Sequence, residues 1–156
     1  MKLGIVPAWG ADWAWGLPLI VLTVVLHAYG LGLLNKAVNS KMVSRERLRH
    51  PSRVSGFLIG GMALSATTLQ AIEGCLWAAT YRLLGASADN RSAMLYSLNA
   101  ITSYGHADIY LAPHWQMMGA PEALNGSILF GLTTAFLFSV VQRTWLRPDA
   151  EQPPRS

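Results

Sequence analysis

Three long apolar stretches, free of Lys and Arg in their central parts, constrain the fold of this chain more than any other feature. They run from about Trp13 to Leu34, from about Val54 to Leu84 and from about Ala120 to Trp145. A helix needs about 20 apolar residues to cross the hydrocarbon core of a bilayer. Lipid offers no hydrogen bonds to the backbone, so helices are the expected form of such segments. The pattern predicts an all-α membrane protein with three transmembrane helices.

Composition agrees with this prediction and argues that the first stretch is retained. Only 13% of the 156 residues are charged, against about 25% in soluble domains. A cleaved signal peptide is the alternative for the N-terminus, but its apolar core usually has about 7–15 residues. The first stretch is longer, and Lys2 is the only positive charge before it. Cys75 is the single cysteine, so the sequence contains no disulfide framework.

The basic residues are distributed unevenly between the loops, which predicts the orientation in the cell membrane. Nine of the twelve lie between the first and second stretches or at and beyond the end of the third: Lys36, Lys41, Arg45, Arg47, Arg49, Arg53, Arg143, Arg147 and Arg155. Cytoplasmic loops carry the excess of Lys and Arg. We therefore expect the N-terminus outside, the C-terminus in the cytoplasm and residues 85–119 outside. Contact with anionic lipid explains the basic loop better than nucleic-acid binding does.

A short amphipathic run lies between the second and third apolar stretches. Asp89, Asn90 and Ser92 are candidate N-caps, and apolar residues follow at helical spacing at Met94, Leu95, Leu98 and Ile101. The helix should stop near Thr102, and Gly105 tolerates backbone conformations that other residues avoid. Such a segment is too short to span the bilayer and too apolar for a solvated loop. We expect a re-entrant half-helix, which is tolerated at membrane depth where irregular backbone lines water.

The order of apolar span, short helix, glycine turn and second span resembles the pore module of the potassium-channel superfamily, over roughly residues 54–145. The family filter typically reads Thr-Val-Gly-Tyr-Gly-Asp. In this sequence Thr102 matches the family's preceding Thr, and the filter places fall in turn on Ser103, Tyr104, Gly105, His106, Ala107 and Asp108. The first Gly and the final Asp of the family pattern are matched by identity.

The resemblance implies a homotetrameric, non-enzymatic cation channel in the lipid bilayer, with a re-entrant pore helix and filter loop around a central pore. It implies no cofactor, no nucleic-acid partner and no metal beyond the permeant ion, which would be K+ passing along backbone carbonyls. His106 and Ala107 depart from the family. Ala107 replaces a left-handed Gly, which costs about 1–2 kcal/mol for a residue with a Cβ atom. These departures leave Na+ open beside K+.

Further residues receive roles around the expected filter. Glu73 and Asn99 are candidates for support behind it. Glu73 would bond Asn99, Ser103 or a filter amide, with a purely structural Glu73 as the alternative. Asp108 would form a ring of carboxylates at the outer mouth, or simply cap the following turn. The inner helix would bend at Gly126 or Gly131 and present the hydroxyls of Thr133 and Thr134 to an ion cavity, unless these bond their own helix. His27 is expected to be an interhelical hydrogen-bond donor.

The chain is thus divided into three parts: residues 1–53 with the first helix and basic loop, a pore module at 54–146 and a disordered tail at 147–156. Two other functions stay open. A small accessory membrane protein that binds a larger partner would need no re-entrant helix. A metal-dependent membrane enzyme would draw on His106, Asp108 and His114, whose types ligate zinc. The spacing of these three matches no zinc-enzyme motif considered.

Overall fold

The computed structural model describes residues 9–45, 51–105 and 108–145, and these residues form helices joined by short connections. The elements are α1 (Gly10–Arg45), α2 (Pro51–Leu83), α3 (Asn90–Ile101), a short 3-10 helix (Pro113–Met118) and α4 (Gly119–Trp145). His106, Ala107 and the predicted tail at 147–156 lie outside the described residues. The predicted all-helical fold is confirmed for the part of the chain that is described.

Two segments are long and apolar enough to cross a membrane, Gly10–Ser40 and Pro113–Arg143. α2 has 33 residues but carries more polar side chains, so its crossing stays a prediction. Large apolar side chains point away from the bundle, among them Phe57, which is 85% exposed. The interior, in contrast, holds fully buried polar side chains: Asp12, Thr23, His27, Glu73, Ser97, Glu122 and Asn125. Polar groups inside and apolar groups outside are expected of helices that pack in lipid.

α1 and α4 run in the same direction, and α2 runs against both. At one end Gly16 faces Pro121 so closely that a Cβ on the glycine would lie 2.8 Å from the proline ring. At the other end Arg143 of α4 donates to Asn35 of α1 over 2.8 Å. The start of α1, the end of α2 and the start of α4 therefore share one end of the bundle.

His27 connects the three long helices at the middle of the bundle. Its Nδ1 lies 3.0 Å from Glu73 Oε1 on α2, and its Nε2 lies 2.8 Å from the Thr133 hydroxyl on α4. The prediction that His27 is an interhelical partner is confirmed. Glu73, expected to bond Asn99, Ser103 or a filter amide, is bonded to His27 instead. Both side chains are buried, and a buried carboxylate needs a donor at its own depth. His27 on α1 is that donor.

α3 runs antiparallel beside α2. The chain after α3 then returns to the end of the bundle at which α3 begins. Arg82 near the end of α2 donates to Asn90 at the start of α3, and the Ser97 hydroxyl donates to the carbonyl of Gly74. Twelve helical residues advance about 18 Å. After this excursion, the Ala112 N–H donates over 2.8 Å to a carbonyl in the loop that precedes α3. The segment from α3 to the 3-10 helix is therefore a hairpin-like excursion beside α2.

The His27–Glu73 pair generates a first prediction. Glu73→Ala removes the acceptor of His27 Nδ1 inside the bundle, and loss of one partner of a buried pair costs about 3–5 kcal/mol. We expect a large fall in the midpoint of denaturant-induced unfolding in detergent micelles. Glu73→Gln is the matched control, since it keeps an acceptor oxygen at the same place and should lose less. An alanine variant as stable as the wild type would contradict the assigned role of the pair.

Candidate functional site

The short helix α3 begins at a capped N-terminus. Asp89 is the N-cap, and its carboxylate accepts hydrogen bonds from the backbone N–H and the hydroxyl of Ser92. These hydrogen bonds stabilise the charged form and lower the pKa of the Asp89 carboxyl. A helix at this place in the chain was predicted and is confirmed. Of the three candidate N-caps, Asp89 is the one used.

α3 ends in a turn that reverses the chain within two residues. The Tyr104 N–H donates to the carbonyl of Asn99 over 3.0 Å, and the Ser103 N–H donates to the carbonyl of Ala100 over 2.9 Å. This pair of bonds is the Schellman motif, in which the residue after the cap is left-handed and usually Gly. Here Ser103 occupies that place with φ of 54°. A residue with a Cβ in this conformation is strained by about 1–2 kcal/mol.

The backbone of residues 102–104 offers acceptors rather than donors to its surroundings. The N–H groups of Thr102, Ser103 and Tyr104 all bond back to carbonyls of α3. No N–H or O–H in the described part of the chain donates to the carbonyls of residues 102–105. Tyr104 is 86% exposed, and Gly105 has φ of 94°, a left-handed conformation that only glycine adopts cheaply. Carbonyls that accept no hydrogen bond from the described residues, at the negative end of a helix dipole, suit a cation.

The end of α3 rests directly on α4 at Gly126. A Cβ at this position would lie 1.9 Å from the carbonyl oxygen of Ile101, so only glycine allows the two backbones to touch. α4 continues as a helix on both sides of Gly126. Gly131, the other residue considered for a bend, faces open space. Beside the contact lies a groove of about 480 Å³, lined by Gln70, Ile101, Thr102, Ser103, Gly126, Ser127 and Phe130.

A buried carboxyl group holds α3 between α2 and α4. Glu122 near the start of α4 accepts a short hydrogen bond from the Tyr81 hydroxyl of α2, and its other oxygen lies 2.5 Å from the Ser97 hydroxyl of α3. Glu122, Ser97 and Tyr81 are all fully buried. The ring of Tyr96 packs edge-on against Tyr81 with centroids 5.4 Å apart. One carboxyl group therefore joins the three elements that position the turn.

Counting protons indicates that this carboxyl group is neutral. Ser97 has one hydroxyl proton, yet its oxygen lies 2.8 Å from the carbonyl of Gly74 and 2.5 Å from Glu122. A carbonyl can only accept, so both contacts of Ser97 are hydrogen bonds at the same time only if Ser97 donates to Gly74 and Glu122 donates to Ser97. The contact between Ser97 and Glu122 is then a hydrogen bond only when Glu122 carries the proton. A neutral carboxyl group is also far less costly to bury than a carboxylate.

The two threonines assigned to an ion cavity point in different directions. The Thr133 hydroxyl faces the interior and bonds His27. The Thr134 hydroxyl donates to the carbonyl of Phe130 in its own helix, and the residue is exposed. Ser127, Gly131, Thr134 and Phe138 are all exposed and lie at helical spacing. They form a stripe of mostly small side chains that begins at the groove beside the turn.

The sequence predicted the position of the turn but not the buried residues that hold α3 in place. Thr102, Ser103, Tyr104 and Gly105 lie together after α3, whereas Asn99 contributes its backbone carbonyl to the turn. Asp108 is exposed. Glu122, Tyr81 and Ser97 were not considered as site residues. The available signal was an acidic residue inside the third apolar stretch, where a charge needs a partner.

Comparisons with protein-family models, with curated proteins and with solved structures give no match. Within residues 9–45, 51–105 and 108–145, no three His, Cys, Asp or Glu side chains gather into a metal-binding group. The predicted combination of His106, Asp108 and His114 includes a residue outside this part of the chain. The functional argument therefore depends on the geometry of the turn and its supports.

The neutral state of Glu122 can be tested by substitution. Glu122→Gln keeps one acceptor for Tyr81 and one donor for Ser97, so we expect it to unfold within about 1 kcal/mol of the wild type. Glu122→Ala leaves buried hydroxyls without this partner, and each such group costs about 1–3 kcal/mol. Unfolding midpoints in detergent measure both. If glutamine is as damaging as alanine, Glu122 is charged and the proton count is wrong.

The two glycines of α4 provide a second test within one helix. Gly126→Ala forces the end of α3 away from α4, because the new Cβ would overlap the Ile101 carbonyl. Gly131→Ala meets open space and raises helix propensity, so it should be neutral or slightly stabilising. We expect a lowered unfolding midpoint and faster proteolysis near residues 102–105 only for Gly126→Ala. Equal behaviour of the two variants would contradict the close contact.

Proposed function

We propose that this chain is one subunit of a homotetrameric cation channel, with the turn at residues 102–108 as the filter and no catalytic role. The observation that carries the proposal is the set of carbonyls at Thr102–Gly105, which accept no hydrogen bond from the described residues. Ion filters replace the hydration shell of the ion with such carbonyls. The N–H groups of Thr102, Ser103 and Tyr104 bond back into α3, so these three donors are not offered to an anion.

The excursion from α3 to the 3-10 helix supports a re-entrant loop. In a bilayer with its core about 30 Å thick, a descent of about 18 Å from the end of α2 brings the turn past the middle. Irregular backbone is tolerated at that depth only where it is covered by protein or lines water. The exposed side of the turn, where Tyr104 is 86% exposed, therefore needs neighbouring subunits around an aqueous axis.

Four copies are proposed from the resemblance to the potassium-channel pore module. A single turn presents carbonyls from one side only, whereas an ion that has lost its water needs oxygens all around it. Below the filter, the pathway would continue along the exposed stripe of α4, with Ser127 next to the turn and Thr134 further in. α1 packs against α4 and α2, and in this proposal it lies outside the pore module.

K+ is the proposed permeant ion, with Na+ as the second candidate. The resemblance favours K+, and His106 and Ala107 are the positions at which this chain departs from the selective pattern. The proposed orientation places the N-terminus outside and the C-terminus in the cytoplasm of the cell, as the basic residues predict. An accessory protein that only binds a larger partner is the second candidate function. Two membrane-crossing helices are compatible with it, but it leaves the carbonyls at 102–105 without a role.

Ion flux into liposomes tests the proposal and separates the two candidates. Purified chain alone should carry K+ down a gradient, and an accessory protein should not. Gly105→Asp should abolish the flux while assembly persists, because a side chain at a left-handed exposed position would alter the carbonyls. Reversal potentials in mixed K+ and Na+ then determine the selectivity. Absence of flux from a correctly assembled wild type would refute the channel.

Gly85 offers a matched control for this substitution. It is also exposed, has φ of 65° and, like Gly105, has nothing within 4 Å of an added Cβ. It lies before α3 rather than after it, so Gly85→Asp brings the same backbone strain and the same charge away from the turn. We expect Gly85→Asp to retain most of the flux. Equal loss in both variants would mean that strain or charge, and not the filter, explains the effect of Gly105→Asp.

A further inference from the structure

A groove between α2 and α3 opens on the outer surface of the bundle. It has a volume of about 530 Å³ and is lined by Cys75, Ala78, Ala79, Arg82, Leu83, Asn90 and Met94. Ala79 is exposed and Leu83 is 86% exposed, so the groove faces the surroundings of the bundle and not its interior. Apart from Arg82 and Asn90, the lining side chains are apolar. No residue of the turn at 102–105 contributes to it.

The groove is polar at one end and apolar along the rest of its length. Arg82 and Asn90 lie where α2 ends and α3 begins. Cys75 lies two turns earlier on α2, about 10 Å along the helix from Arg82. There its Sγ lies 3.9 Å from Sδ of Met94 on α3, so the side chains of the two helices meet. This arrangement suits an occupant with a polar head and an apolar body.

The guanidinium group of Arg82 is held in place with donors to spare. Its Nε donates to the side-chain oxygen of Asn90 over 2.8 Å, and its Nη1 donates to the carbonyl of Ser87 over 2.6 Å. Nη2 donates to no residue in the described part of the chain, where no carboxylate forms an ion pair with Arg82 either. Asp89 interacts with Arg82 electrostatically, but its carboxylate is hydrogen-bonded to Ser92. A positioned guanidinium with free donors suits a phosphate.

Exposed aromatic side chains place this end of the groove at the level of the lipid headgroups. Trp9 and Trp15 at the start of α1 are 56% and 50% exposed, and Tyr110 before the 3-10 helix is 71% exposed. Trp and Tyr are enriched at the interfaces between membrane and water. The start of α1 and the end of α2 share one end of the bundle, so Arg82 lies near this level. The apolar part of the groove then runs from the headgroups toward the middle of the bilayer.

We propose that this groove binds one anionic phospholipid. Its phosphate would accept hydrogen bonds from the guanidinium of Arg82, and one acyl chain would lie between α2 and α3 along Ala78, Ala79 and Met94. Basic pockets between transmembrane helices bind phospholipid headgroups in the same way. The bound lipid would cover the outer side of the contact between the two helices. The proposal requires the membrane location but not ion conduction.

Titration of the purified full chain in detergent with phosphatidylglycerol tests the site. Native mass spectrometry counts the bound lipid, and we expect one molecule per chain. The unfolding midpoint should rise with lipid concentration, since only the folded chain forms the groove. Phosphatidylcholine, which has no net negative charge, should raise the midpoint less at the same concentration. Inorganic phosphate, which has no acyl chain, should leave it nearly unchanged.

Two pairs of variants separate the polar end of the groove from its apolar part. Arg82→Gln should weaken phosphatidylglycerol binding about 10-fold, because it removes a hydrogen bond between charged groups. Arg91→Gln removes an exposed arginine outside the lining and should bind like the wild type. Ala79→Phe fills the groove but keeps Arg82, so it should also weaken binding. Ala71→Phe makes the same change at an exposed position of α2 outside the lining and should not.

Several outcomes would overturn the lipid site. They are no phosphatidylglycerol bound to the wild type, an equal effect of phosphatidylcholine or inorganic phosphate on the midpoint, and equal binding by Ala79→Phe and Ala71→Phe. If Arg82→Gln fails to fold because the bonds to Asn90 and Ser87 are lost, the two phenylalanine variants decide the question by themselves. Ion flux is measured separately, so the channel and the lipid site can fail independently.

Discussion

The hydrogen bonds of one buried carboxyl group hold the rest of this architecture in place. Glu122 reaches Tyr81 on α2 and Ser97 on α3 from the start of α4. α3 is too short to be stable by itself in water, since isolated helices below about 12–15 residues are marginal. Its position beside α2 therefore comes from tertiary contacts, of which this polar junction is the most directional. Because the turn directly follows α3, the hydrogen bonds of Glu122 also determine the position of the turn.

The polar interior and the apolar exterior follow from one constraint. Between helices in lipid, packing of small residues and hydrogen bonds replace the hydrophobic effect as the main attraction. The glycines at 16, 30 and 126 allow close approach, with an added Cβ within 3 Å of the neighbouring helix or side chain in each case. The pairs Thr23–Asn125 and His27–Glu73 then fix the register between helices. Small residues bring the helices together, and polar pairs determine their alignment.

Local features could be predicted from the sequence, and long-range pairings could not. The limits of α3 follow from its apolar spacing and from a capping residue at Asp89, which lie within a few residues of one another. The partner of Glu73 lies 46 residues away, and nothing in the local pattern indicates which face of α1 meets α2. The left-handed conformation of Ser103 could not be predicted either, because serine rarely adopts it. The nearby Gly105 was the residue at which the chain was expected to reverse direction.

The attachment of α1 has a mechanical consequence. Toward the end of the bundle away from the turn, Arg143 of α4 donates to Asn35 and Asn39 of α1. Near the turn, in contrast, α4 is bonded to α2 and α3 through Glu122. Any tilting of the far half of α4 would therefore pull on α1 through the hydrogen bonds of Arg143.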